Sequence, residues 1–118
     1  MGKATSAVRS QEEALSKASE FVESVDHRCA EKGYRLLGAY LVGSRARGDY
    51  LEDSDVDIVL VIDGVAGLNR LERLGIIKDL LLPGVEVFVY TQQEWNSDSL
   101  WIMELRKEAI PIARRTGS

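Results

Sequence analysis

A single cysteine (Cys29), a single histidine (His27) and two prolines (Pro83 and Pro111) are all that 118 residues contain of these types. One thiol cannot close an internal disulfide, so the fold must rest on its own core, and a reducing, cytoplasmic setting is expected. One histidine without a cysteine or second histidine at ligand spacing gives no basis for a zinc site or a Ser-His triad, and His27 reads as a surface residue of a helix. No apolar run approaches the roughly 20 residues that cross a bilayer, and no leader-like segment opens the sequence, so no membrane association is expected. Basic charge is also short: 15 Lys and Arg against 19 Asp and Glu leave a net charge of −4. No global positive field attracts a phosphate backbone, and direct nucleic-acid binding is not expected. The length predicts one domain, able to bury roughly two-thirds of its unfolded surface and without room for a second catalytic domain.

What is present is an alternation of short apolar runs and amphipathic stretches. LLGAYLV at 36–42, VDIVLVI at 56–62 and VEVFVY at 85–90 are apolar, partly β-branched and bounded by turn or charged residues, which predicts three strands. Residues 1–10 are small and polar and are expected to be disordered, with a first helix opening at Gln11-Glu12-Glu13. Its apolar stripe of Ala14, Ala18, Phe21, Val22, Val25 and Cys29 ends at Gly33. A second helix is predicted over 68–81, a capping box at Thr91 to Glu94 starts another, and a helix over 97–108 leads into a short edge strand at 109–112. Residues 114–118 read as a flexible tail, leaving 11–113 as the folded domain. This order predicts an α/β protein: a small mixed β-sheet with helices packed against it.

Between the first two predicted strands lies Gly43-Ser44-Arg45-Ala46-Arg47-Gly48, followed by Asp49 and then Ser54-Asp55-Val56-Asp57. Side chains alternate along a strand, so Asp55 and Asp57 project to one side with Cα atoms roughly 6.6 Å apart, from twice the rise per residue. A carboxylate in a strand of Val, Ile and Leu costs several kcal/mol unless paired or metal-bound. A hard divalent cation resolves that conflict, and oxygen-only ligation favours Mg2+ or Mn2+ over zinc. Gly43 lets backbone N–H groups approach an anion, and Ser44 adds a hydroxyl at the start of a turn, which together suit phosphate. A branched side chain at Gly43 is expected to block phosphate while leaving stability largely intact. Arg45 and Arg47 either neutralise phosphate or pair with neighbouring acids. Glu86 puts a third charge inside a strand; beside Asp55 and Asp57 it would complete a site for two divalent ions, and alone it would be a solvent-facing residue. Asp49, Glu52 and Asp53 fit ordinary turn chemistry, Tyr50 a capping role or a nucleobase contact, and Trp95 and Trp101 core or interface anchors.

The pattern GSxARGxxxxxSDxDIxL, running from Gly43 to Leu60, resembles the signature of the minimal nucleotidyltransferases of the DNA polymerase beta-like superfamily. The order of elements extends the resemblance over about 11–112. It implies a polymerase beta-like core in which Gly43 and Ser44 bind nucleotide phosphates, Asp55 and Asp57 hold Mg2+, and Glu86 is the third acid, a position commonly Asp in that family. Catalytic roles fall by the same resemblance to Asp55, Asp57 and Glu86. Stand-alone members resemble the antitoxin halves of toxin-antitoxin pairs. The implied activity is transfer of a nucleoside monophosphate, AMP from ATP, to a tyrosine of a helical HEPN-type partner in a hetero-oligomer. A binding subunit that neutralises its partner by occlusion, and an aminoglycoside-like transferase acting on a small-molecule hydroxyl, are the alternatives.

Overall fold

The computed structural model describes the backbone of residues 3–113 and the side chains of residues 6–113. Ten elements follow in order: α1 (Lys3–Lys32), β1 (Arg35–Val42), α2 (Ser44–Arg47), β2 (Val56–Asp63), α3 (Arg70–Ile77), a 3-10 turn (Lys78–Leu80), β3 (Val85–Tyr90), α4 (Gln92–Trp95), α5 (Leu100–Glu108) and β4 (Ile110–Pro111). The strands form one mixed sheet in the order β3-β2-β1-β4. β2 runs antiparallel to β1 and parallel to β3, and β4 pairs with the other side of β1. The mixed α/β sheet with packed helices is the architecture that the alternating pattern predicts, and Pro111 does lie on an edge strand, where a missing donor is tolerated.

Helix α1 departs from expectation at its start: it begins at Lys3, not Gln11. Most of residues 1–10, expected to be disordered, are therefore helical, and the expected tail at 114–118 lies outside the described residues. Two features explain the extension. Residues 3–10 hold neither Gly nor Pro, and the helix is tied down by tertiary bonds: Ser10 Oγ donates to the Glu52 carbonyl, and Gln11 Nε2 donates to the Arg45 carbonyl at 3.1 Å. At the other end Gly33 (φ 83°) takes the left-handed conformation, and Tyr34 N–H donates back to the Cys29 carbonyl at 2.8 Å.

The sheet sorts its side chains by parity. On one face Leu36, Ala39, Leu41, Ile58, Leu60, Ile62 and Val87 pack with the α1 stripe (Ala14, Ala18, Phe21, Val22, Val25, Cys29) and Ile77. On the other, Val42, Val59 and Val61 pack with Trp95, Ile102 and Leu105, and Tyr40, Phe88 and Tyr90 border them. Helices α4 and α5 thus cover the face opposite α1. Asp57 and Glu86 have the parity of Val59 and Phe88, so both belong to the α5 face. Trp95 is a core anchor, stacked on Tyr40 at 5.2 Å and Tyr90 at 6.3 Å.

The predicted 68–81 helix is shorter than its pattern. Asn69 caps α3 through a capping box with Glu72, and after Ile77 the chain tightens into the 3-10 turn. Arg28 fastens that turn to α1 with a bidentate contact to Asp79 at 2.6 and 2.7 Å. The Thr91–Glu94 capping box is present, and the Glu94 carboxylate also receives the buried Arg73 guanidinium at 2.6 Å. His27 is exposed, as its place on the helix suggests.

Candidate active site

Strand register places the glycine turn on the carboxylate. In the β1–β2 ladder Val42 faces Asp57, so the residue that leaves β1, Gly43, is brought directly over the Asp57 side chain. Gly43 has φ 77° and ψ −158°, a conformation that side chains disfavour. A Cβ built there would collide with Asp57 Oδ2. Its carbonyl accepts from Ala46 and Arg47 N–H at 3.1 and 3.0 Å, and Gly48 (φ 90°) closes the turn by donating to the Ser44 carbonyl at 2.9 Å. The chain therefore turns within a few residues and leaves the Gly43 N–H facing the α5 side of the sheet.

The acids meet on that side. Asp57 and Glu86 are Cα partners in the parallel β2–β3 ladder, and Asp55 precedes β2 with the same parity. Asp57 is half-buried, whereas Asp55 and Glu86 are exposed. Burial pushes the Asp57 carboxyl above its ordinary value, and the charges of Glu86, Asp55 and Glu108 push it further, against a weaker pull from Arg47. A surplus of negative charge thus gathers around a partly desolvated carboxylate.

The donor set suits a hard cation. Every candidate ligand is a carboxylate oxygen, and a positive ion would offset both the burial that chiefly raises Asp57 and the repulsion that adds to it. Among the described residues no group of three acids is closed into a ready-made metal cage. The carboxylates could thus contribute only part of a cation's shell, with the remaining positions left to a ligand's oxygens and water, an arrangement that Mg2+ accepts.

The two arginines part company. Arg45 is 5% exposed. Its guanidinium donates to the Ser54 carbonyl (3.0 Å), Gln11 Oε1 (3.0 Å), Ser10 Oγ (3.0 Å) and the Glu52 carbonyl (3.2 Å), and lies 5.1 Å from the Tyr50 ring centroid. These bonds pin the 49–54 loop to α1, and Tyr50 serves as the cap of this knot. The structure therefore does not bring Arg45 to the phosphate turn, for which the sequence nominates it; its donors are consumed by two loop carbonyls and two α1 side-chain oxygens. Arg45→Ala should lower unfolding free energy by about 2–4 kcal/mol, the cost of breaking a buried hydrogen-bonded network, in a denaturant titration. Loss below about 0.5 kcal/mol would show that water replaces the arginine without penalty.

Arg47 stays at the site. It contacts Asp49 Oδ2 at 3.2 Å and Glu108 Oε1 at 3.1 Å. The other oxygen of Glu108 accepts from the Gly43 N–H. Glu108 was not among the acids that the sequence singles out. One signal could have found it: an acid in the last turn of a helix opposes the macrodipole, so its presence calls for a tertiary partner. A cleft of about 440 Å³ opens between the turn and α5, bordered by Gly43, Ser44, Arg47, Asp57, Phe88 and Glu108. Trp101 forms its outer lip, edge-on to Phe88 at 6.3 Å and 57% exposed. A larger, mostly apolar hollow of about 760 Å³ shares these two rings; Glu94 lines it, but Asp55, Asp57, Glu86 and Glu108 do not.

No helix among the described residues is long and apolar enough to cross a membrane. No curated protein matches the chain in sequence. The family profile described as "Nucleotidyltransferase domain" matches residues 19–110. Among solved structures, a Sulfolobus solfataricus protein provisionally designated a nucleotidyltransferase is 31% identical; the match covers 100% of this chain and 96% of that one, with a TM-score of 0.76. The matched span contains the Gly43-Ser44 turn, Asp55, Asp57, Glu86 and Glu108, and the chain belongs to the nucleotidyltransferase domain family.

Proposed function

We propose that the protein is a Mg2+-dependent adenylyltransferase that moves AMP from ATP to a tyrosine hydroxyl of a helical HEPN-type partner, as the antitoxin of a pair. One observation carries the catalytic half of this reading: the register Val42 to Asp57 sets a side-chain-free turn on a carboxylate that burial, and then the neighbouring acids, hold above its ordinary pKa. Phosphate and carboxylate can share so small a space only with a cation between them. Two Mg2+ ions, or Mn2+, would be held by Asp55, Asp57 and Glu86 and would supply the positive charge that neutralises triphosphate and assists the attacking hydroxyl.

The chain's own residues do the rest. The Gly43 N–H and the Ser44 hydroxyl fix the β- and γ-phosphates, which aims the α-phosphorus at the open mouth of the cleft. The acceptor oxygen forms its bond to that phosphorus as the bridge to the β-phosphate breaks. Pyrophosphate leaves, and the hydroxyl proton passes to Glu86, the exposed acid beside Asp57. Support for a protein acceptor lies at the rim: Trp101, which borders the cleft, is 57% exposed, and its neighbour in sequence Leu100 is 80% exposed, apolar surface that a partner could cover.

With ATP labelled at the α-phosphate, label should pass to the co-encoded helical protein, and Glu86→Gln should slow transfer about 100-fold at unchanged complex formation, the usual scale of a general base. Equal rates for the two proteins would remove Glu86 from the mechanism. If a variant lacking Asp55, Asp57 and Glu86 still protected cells fully from the partner, occlusion and not transfer would be the neutralising act.

A further inference from the structure

We propose that Glu108 is the specificity-determining residue of the phosphate site, favouring triphosphate whose charge a divalent cation has already partly offset. The inference rests on the nucleotide reading above and extends it to what the site refuses. Two of the groups that would receive phosphate, the Gly43 N–H and the Arg47 guanidinium, are both engaged by one carboxylate, that of Glu108. Its side chain is 18% exposed, so much of it is enclosed. A carboxylate bound in this way has the charge and the acceptor geometry of a phosphate oxygen pair, and it fills the place in the ligand's absence.

An incoming anion must therefore displace Glu108 without taking its charge away. α5 keeps the carboxylate in the cleft, where Glu104 also stands on the wall and Asp57 on the floor. Free phosphate or metal-free triphosphate would add its charge to three carboxylates at close range in a partly desolvated space. A triphosphate that carries a divalent cation adds less, because the cation cancels part of its charge, and Glu108, once turned off Gly43, remains beside Arg47. Discrimination is thus built from a repulsive element, not from a tighter fit to the accepted ligand.

The test compares wild type, Glu108→Gln and Glu108→Ala by calorimetry with two probes: inorganic tripolyphosphate in the presence of a chelator, and Mg-ATP. Gln keeps an acceptor for the Gly43 N–H, and Ala removes it, so a folding defect in one variant leaves the other to decide. Removing the charge should raise affinity for metal-free tripolyphosphate about tenfold or more, while Mg-ATP affinity changes by less than about threefold. Proportional changes for the two probes, or no gain for tripolyphosphate in either variant, overturn the assignment and leave the nucleotide reading standing. Mg-ATP binding by none of the three proteins would instead remove the nucleotide reading, and this inference with it.

Discussion

Asp57→Asn should abolish nucleotidyl transfer, by about three orders of magnitude or more, and at the same time raise the melting temperature of the unliganded protein. The first effect follows from charge. Asn keeps the volume and the strand register but cannot offer an anionic oxygen, and the several kcal/mol that metal-assisted charge stabilisation supplies convert to about a thousandfold per 4 kcal/mol. The second effect follows from the carboxyl's own discomfort. Burial, with Glu86, Asp55 and Glu108 nearby, raises its pKa in the folded state above the ordinary 3.8. A folded pKa above the unfolded one means that the native state binds the proton more tightly. The contribution of this group to stability is then present in full below about pH 3.8 and lost as pH rises through the folded value. At neutral pH the wild type carries that penalty and the Asn variant does not. The gain in melting temperature should accordingly be largest near neutrality and shrink as acidity approaches pH 3.8. Thermal melts across pH, together with the labelled-phosphate assay, check both halves. An unchanged transfer rate would take Asp57 out of the site, and a lowered melting temperature at neutral pH would mean that the carboxylate makes compensating bonds after all. Activity gained at the expense of stability is the usual signature of a site arranged for a charge it does not itself contain.

Much of this was legible in the chain. Short, partly β-branched apolar runs bounded by turn or charged residues located β1, β2 and β3 to within a residue, and parity alone put Asp55 and Asp57 on one side. The glycine turn could be read because its residue types have few other uses between two apolar runs. What could not be read depended on tertiary partners. The start of α1 is decided by Ser10 and Gln11 meeting the 45–52 loop, contacts across more than thirty residues that no local pattern announces. The same knot takes Arg45 away from the phosphate turn, although Arg45 and Arg47 look equivalent in sequence; a difference of two positions around a single helical turn sends one inward and leaves the other at the rim. For Glu108 the sequence offers only an unfavourable place in a last helical turn; its partner, Gly43, is set by tertiary packing that brings α5 to the end of β1.

Gly43→Ala should cost both fold stability and nucleotide binding, a correction to the sequence-based expectation that a side chain there would spare stability. Two independent penalties act on the folded state. The left-handed φ of 77° disfavours any Cβ by about 1–2 kcal/mol. The new methyl would also strike Asp57 Oδ2, backed by β2, so the carboxylate must rotate toward Glu86 and Glu108 or the turn must shift. Together the two should lower unfolding free energy by about 2–4 kcal/mol, a fall of roughly 10 °C in melting temperature for a domain of this size. Binding should suffer separately, because the displaced Gly43 N–H no longer points where phosphate would sit. A double-mutant cycle distinguishes the parts. In an Asp57→Ala background the steric term disappears, so the same Gly43→Ala change should cost only the conformational 1–2 kcal/mol, leaving a coupling energy of about 1–2 kcal/mol between positions 43 and 57. A coupling energy near zero would mean that the turn relaxes away from Asp57 at no cost and that glycine is required by its φ alone.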